Sequence, residues 1–347
     1  MKKPAFLKQK MMLRVVYALI PVLLVSIYYF GWRVAALVAI SLIFAFATEW
    51  IMASLRKGRM SYAVYVTAML YGLSLPPTVP FWTAAVGAII AILFAKEVFG
   101  GFGKNVFNPA IVGRAFVYVS FPEELTARFA PVFNEFPAGL TKWSFASIKE
   151  LPQYIQNAGL TKTDAISAAT PMWSLRDYGF ETEIMKLFTG NISGTFEHSG
   201  QNMVLGAGSA GEVCAIVIIL AGIYLIWTKT AKWQLTVSTI LGASILNILL
   251  RNIFGIQAVP PLLFTLFSGA LMYAAVFMVT DPISAPKKKI SQWIYGGMIG
   301  MLIVFFRYKS IFAGGVAFSI LMGNMFAPTM DLWVKRYKAR KKNKEEK

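Results

Sequence analysis

Long apolar runs separated by short basic clusters recur along this 347-residue chain, and they restrict its fold more than any other feature. A helix that crosses a bilayer needs about 20 largely apolar residues, because lipid offers no partner to an unpaired backbone N–H or C=O. Runs of this kind cover approximately residues 14–31, 34–55, 61–76, 81–98, 105–121, 209–228, 233–250, 260–280, 290–306 and 309–328. The expectation is an all-α polytopic membrane protein of about ten transmembrane helices. Composition agrees: 57% of residues are hydrophobic and the mean hydropathy is +0.59, against about 45–50% apolar in soluble domains. The start, Met1-Lys2-Lys3 ahead of an apolar run, imitates a secretory signal. The many later runs and the lack of a small-residue cleavage site make it a first span instead.

The net charge of +18 would suggest nucleic acid if it formed one patch. Here the basic residues sit between the runs, where they orient a membrane protein. Lys2, Lys3, Lys8, Lys10 and Arg14, then Arg56, Lys57 and Arg59, then Lys96 and Lys104, then Lys229 and Lys232, then Lys287, Lys288 and Lys289, and finally the tail from Lys335, all fall on one side. By the positive-inside rule that side is the cytoplasm, with both termini on it. The organisation expected is a first five-helix repeat over 1–121, an extracytoplasmic segment over 122–208, a second five-helix repeat over 209–334 and a basic cytoplasmic tail over 335–347. An odd number of spans inverts the second copy. Local likeness supports two inverted repeats: Lys104-Asn105-Val106-Phe107-Asn108-Pro109 resembles Gly323-Asn324-Met325-Phe326-Ala327-Pro328, and Pro76-Pro77 echoes Pro260-Pro261.

Cys214 and His198 are the only residues of their types. That excludes a disulfide framework and disfavours iron–sulfur, His-ligated haem and Cys- or His-based metal sites. No metal site is expected, and redox chemistry here needs an organic cofactor such as a flavin. Polar groups inside spans are costly and mark function. Gly100-Gly101-Phe102-Gly103-Lys104 opens the fifth run as a broken helix. Asn105 and Asn108 follow on one face, with Arg114 two turns on. They suit the edge of a flavin ring or quinone, or else capping and interhelical hydrogen bonds. Glu212 at the start of the sixth run, and Thr280 with Asp281 at the end of the eighth, are candidates for an ion or coupling site. Each also reads as ordinary dipole or turn chemistry. Glu49 is expected to pair with an arginine or a cation.

One stretch of the polar segment stands out: Asp164-Ala165-Ile166-Ser167-Ala168-Ala169-Thr170-Pro171. It is an Ala-rich turn or helix start, or an attachment point at Thr170. A threonine hydroxyl is a weak nucleophile, so attachment needs a separate transferase. Small residues at 167–169 would let such an enzyme approach the backbone.

These motifs, with GGFGKNVFNPAIVGRAF at 100–116, GSAGE at 208–212 and TDPISAP at 280–286, resemble a family of membrane proteins over nearly the whole chain. The family, NqrB/RnfD, comprises the D subunits of the Rnf ferredoxin:NAD oxidoreductases and the B subunits of the sodium-pumping NADH:quinone reductases. The resemblance implies a bacterial inner-membrane flavoprotein subunit of a redox-driven Na+ or H+ pump, with FMN on Thr170 through a phosphoester. Asp164, Ser167, Ala168 and Ala169 form the rest of the attachment motif. It further implies a second, non-covalent, riboflavin-like flavin near Asn105, Asn108 and Arg114. Its partners would be the A, B, C, E and G proteins of the Rnf complex, a flavin transferase and membrane lipid, with no nucleic acid. The quinone-reductase member usually carries a longer N-terminal extension, so the Rnf reading is preferred. The B subunit of a quinone reductase, an inverted-repeat channel or transporter without redox role, and a structural anchor remain the alternatives.

Overall fold

The computed structural model describes residues 5–309 and 315–345. In the first half the chain forms α1 (Lys10–Phe30), α2 (Arg33–Leu55), α3 (Ala63–Leu73), α4 (Phe81–Ile92) and α5 (Pro109–Ser120). Helix α4 does not stop at Ile92 but continues as a π-turn, Leu93–Glu97. The polar segment follows, with short helices that include α6 (Pro171–Tyr178). The second half forms α7 (Ala215–Trp227), α8 (Trp233–Ile248) with a π-turn at Leu249–Ile253, α9 (Leu262–Phe267), and α10 (Leu271–Tyr273) with a π-turn at Ala274–Met278. It closes with α11 (Lys289–Lys309) and α12 (Gly315–Glu345).

Four described helices are long and apolar enough to cross a membrane unbroken: α1, α2, α8 with its π-turn, and α11. The remaining runs are shorter or interrupted. The eighth run, expected as one span over 260–280, is two short helices and a π-turn, because Ser268-Gly269 breaks it. The fifth helix begins at Pro109 rather than residue 105, since Asn108 caps it by accepting from the N–H groups of Ala110 and Ile111. The expected start of the tenth run lies partly outside the described residues. Broken helices of this kind let backbone polar groups line an interior cavity within the membrane.

The chain is not purely helical. Strand β1 (Ala5–Leu7) pairs in parallel with β2 (Arg59–Ser61), and β3 (Thr195–His198) forms a hairpin with β4 (Gln201–Val204). All four strands lie outside the helices.

Both halves share one apolar core. Where they meet, the Asn108 backbone N–H donates to Asn324 Oδ1 (2.9 Å) and the Asn108 amide donates to the Met278 carbonyl (3.2 Å). Asn324 Nδ2 donates to the Tyr295 hydroxyl (2.6 Å). The local likeness between residues 104–109 and 323–328 therefore falls on unlike structures. The first is a loop running into a helix N-terminus, and the second is the middle of α12, with Pro328 inside the helix.

Several exposed tryptophans stand at helix ends: Trp32 and Trp82 on the side of the polar segment, where Trp143 also lies, and Trp227 and Trp233 on the side of the basic clusters, where Trp333 is exposed within α12. Aromatic belts mark the two membrane–water interfaces. The polar segment is stitched to its side: the N–H groups of Trp32 and Arg33 donate to the carbonyls of Lys142 and Trp143. At the opposite side Arg14 donates to the Thr228 carbonyl.

Candidate functional site

Thr170 is half-buried and caps α6, with its Oγ1 accepting from the Trp173 N–H (3.4 Å). Pro171 follows at the first helical position, where a missing N–H costs nothing. The residues before Thr170 are held by short-range chemistry. Thr161 and Asp164 form a capping box at the helix Lys162–Ile166, and Thr161's N–H and hydroxyl donate to the Asp164 carboxylate (2.7 and 2.6 Å). Those hydrogen bonds hold the Asp164 carboxyl below the usual carboxylate range. Ala169 then pairs with the end of β4 and the residues just after it: its N–H donates to the Val204 carbonyl, and the Gly206 N–H donates to its own carbonyl. Ala168 and Ala169 are buried, and a Cβ at Gly206 would stand 3.0 Å from the Ala168 side chain. In the folded chain Ala168 and Ala169 are closely packed, and Ser167 alone of the three is not buried.

Thr170 lines a cavity of about 280 Å³ between the polar segment and the helix ends beneath it. Its walls carry Trp173, Phe129 and Phe267, and its charged groups are Arg114, Arg307, Glu212, Arg176 and Asp177. Arg114 donates from both terminal nitrogens to Ser209 Oγ (3.3 and 3.2 Å). Glu212 accepts from the Ser209 N–H (3.0 Å), so the Gly208-Ser209-Ala210-Gly211-Glu212 stretch is a capping box that also seats Arg114. Gly208 has φ +84°, and a Cβ there would stand 2.6 Å from the Glu212 carboxylate. Arg307, buried in the last turn of α11, donates to the carbonyls of Thr265 (2.8 Å) and Ser268 (3.0 Å). Its Nε is buried without a partner among the described residues. At the outer rim the Arg176 guanidinium, 2.6 Å from Asp177, holds that carboxyl below its ordinary range.

A second, smaller cavity of about 50 Å³ lies toward the basic face. Asn105, Asn108, Thr280 and Asp281 line it, together with Lys96 and Phe277. The Asp281 carboxylate is spent on an Asx turn, accepting from Ser284 Oγ (2.6 Å) and the N–H groups of Ile283 and Ser284. Thr280 donates back to the Val276 carbonyl (2.6 Å).

The structure regroups the residues singled out from sequence. Asn105 and Asn108 share the inner cavity, but Arg114 belongs to the Thr170 cavity instead, because α5 carries it a further turn and a half outward. Glu212 likewise sits beside Arg114, apart from Thr280 and Asp281. Glu49 pairs with Lys96 rather than with an arginine (2.6 Å). Sequence reasoning missed Arg307. The signal was a lone arginine directly abutting the ninth apolar run. It also missed Trp173, three residues after Thr170.

A sequence profile of the NQR2, RnfD, RnfE family matches residues 5–340. The chain is 29% identical to the D subunit of the ion-translocating oxidoreductase complex of Actinobacillus succinogenes, over 95% of this chain and 93% of that one. It is 32% identical to the protein of the same name from Haemophilus ducreyi, over 94% and 92%. It is also 32% identical to the B subunit of the Na(+)-translocating NADH-quinone reductase of Ectopseudomonas mendocina, over 82% of this chain and 63% of that one.

Proposed function

Since this chain belongs to the NQR2, RnfD, RnfE family, we propose that it is the D-type membrane subunit of an ion-translocating oxidoreductase complex and that Thr170 carries FMN through a phosphoester. The relatives named as D subunits, matched over more than nine-tenths of both chains, support the D-type reading.

The observation that carries the flavin reading is the cavity on which Thr170 opens. It pairs aromatic walls with three guanidinium groups, of which Arg176 is paired with Asp177 at the rim and Arg307 has a donor to spare. A planar, apolar ring that gains negative charge on reduction suits that combination of walls and cations. Esterification is compatible with the cap, because Thr170 Oγ1 acts there as an acceptor and its proton is not used. A phosphate at that oxygen would stand at the N-terminus of α6, where the Met172 N–H and the helix dipole favour an anion. Arg114 is held in place by Ser209, and Arg307 by two carbonyls, so neither must reorganise as charge arrives. Trp173 and Phe129 keep water from one side of the cavity. The flavin supplies the electron-accepting chemistry, and the chain supplies tether, cations and walls.

The basic face is the cytoplasmic side of a bacterial inner membrane in this reading, with both termini on it, ten membrane segments in two inverted halves, and Thr170 opposite. A second, non-covalent flavin of the riboflavin type belongs near Asn105 and Asn108 in this reading, and the helices around that cavity of about 50 Å³ would have to part to admit it. Electrons reach Thr170 from another protein of the complex, and Na+ or H+ is the ion moved. A transferase completes the attachment.

Denaturing gel electrophoresis under ultraviolet light tests the attachment after co-expression with the transferase. The wild-type band fluoresces, Thr170→Ala loses the signal, and Thr170→Ser retains part of it. Intact mass of the chain purified from its complex, equal to that of the bare polypeptide, would sink the proposal.

A further inference from the structure

The ion pairs at the basic end of α2 are used by nothing described so far. Glu49 and Lys96 are buried, their side chains 1% and 2% exposed. Lys96 Nζ donates to Glu49 (2.6 Å) and to Ser61 Oγ (3.0 Å), and Glu49 also accepts from the Ser61 N–H (3.0 Å). Every side-chain polar atom of that trio has a partner. The neighbouring pair differs. Glu97, with its side chain 1% exposed, accepts from Arg56 on one oxygen (2.5 Å), and its Oε1 has no partner among the described residues.

Lys96 and Glu97 lie in the π-turn that continues α4, where the Val98 N–H reaches back to the Leu93 carbonyl, and their side chains meet Glu49 of α2 and Arg56 just after it. Single π-turns cluster at functional positions. Arg56 is 32% exposed and lies across the Gly100-Gly101 turn, so the pair reaches the basic surface. Lys96 faces the other way and lines the inner cavity. The charged groups that act on Glu97 are Arg56 just after α2, Glu49 of α2 and Lys96 beside it.

A buried carboxylate oxygen without a partner is costly and calls for a cation. A hard metal ion takes about six oxygen ligands. No group of three or more His, Cys, Asp or Glu residues gathers among the described residues. One unfilled lone pair suits a proton.

We propose that Glu97 is a proton-binding site opening on the basic face, and that Lys96 links its charge to the inner cavity. A proton from water at that face bonds to Oε1, the carboxylate becomes a neutral acid, and Arg56 is left with uncompensated charge. Negative charge entering the inner cavity favours the protonated form; its departure releases the proton to the same face. The proposal rests on the family's redox-coupled role and is independent of the attachment at Thr170.

Infrared difference spectra of the intact complex in lipid, titrated with pH, test it. A protonated-carboxyl C=O band is expected that disappears in Glu97→Gln, and its midpoint moves to higher pH when the complex is reduced. A Glu97→Gln spectrum superimposable on wild type would overturn the site, and an unmoved midpoint would overturn the link to the inner cavity. If Glu97→Gln does not assemble, the wild-type complex decides through dicyclohexylcarbodiimide, which reacts with protonated buried carboxyls. Peptide mass spectrometry should find the adduct on Glu97, falling at least fivefold as pH rises through the transition. No adduct there, or one indifferent to pH, overturns the proposal. Flavin fluorescence of the same samples reports separately on Thr170.

Discussion

At the scale of single residues, the chemistry beside Thr170 is local and cheap. Thr161 and Asp164 build one capping box, and Ser209 and Glu212 build another. Both are patterns of side chains three apart, readable from sequence. The hydrogen bonds from Thr161 give the first a pH dependence. They depress the Asp164 carboxyl in the folded chain. Its stabilisation is therefore complete above the unfolded pKa of about 3.9 and is lost as pH falls through the lower folded value. Hydrogen exchange of amides 162–166, corrected for its intrinsic pH dependence, should be flat from neutral pH to about pH 4 and rise below it. Asp164→Asn should remove that acid-dependent step. What no residue pattern announced is that Arg307 ends in the same cavity as Thr170. The two lie far apart in sequence, and only the packing of α11 against the C-terminal end of α9 and the Ser268-Gly269 break brings them together.

At the scale of elements, the π-turns and the broken eighth run decide what faces inward. A hydropathy profile sees an apolar run and cannot tell a continuous helix from two half-helices, since both bury the same side chains. The clasp between α2 and the π-turn after α4 is the sharpest case. Lys96→Met removes the partner of a buried Glu49 and should destabilise the chain by about 3–5 kcal/mol. The double variant Glu49→Gln/Lys96→Met removes both charges together and should recover most of that loss. Resistance of the purified complex to denaturant measures both. Equal losses in the single and double variants would show that packing, not charge, holds the clasp.

At the scale of the whole molecule, orientation is the property most open to a direct test. The chain's one cysteine, Cys214, is buried, so the background of thiol labelling is low. Phe136 is 85% exposed on the polar segment and Tyr337 is 66% exposed near the end of α12. In intact cells a membrane-impermeant maleimide should label Phe136→Cys and leave Tyr337→Cys untouched until the inner membrane is opened. The reverse pattern would invert the proposed topology, and the electron path with it. The same scale shows how the halves are joined: Asn108 and Asn324 hydrogen bond directly, and Tyr273 of the second half donates to Leu70 of the first.

Membrane class, the approximate position of each apolar run, the side on which the basic clusters lie and the helix start at Thr170 are all legible along the chain. Each depends on composition or on residues close in sequence, and such terms are local. The company each polar group keeps is not legible in that way. Arg114 left Asn105 and Asn108 for the Thr170 cavity, Glu212 parted from Asp281, and Glu49 took Lys96 rather than an arginine. Those pairings depend on where helices break and which turn of one meets which turn of another. That is settled by the packing of both halves into one core, where a single extra residue in a π-turn redirects every side chain beyond it.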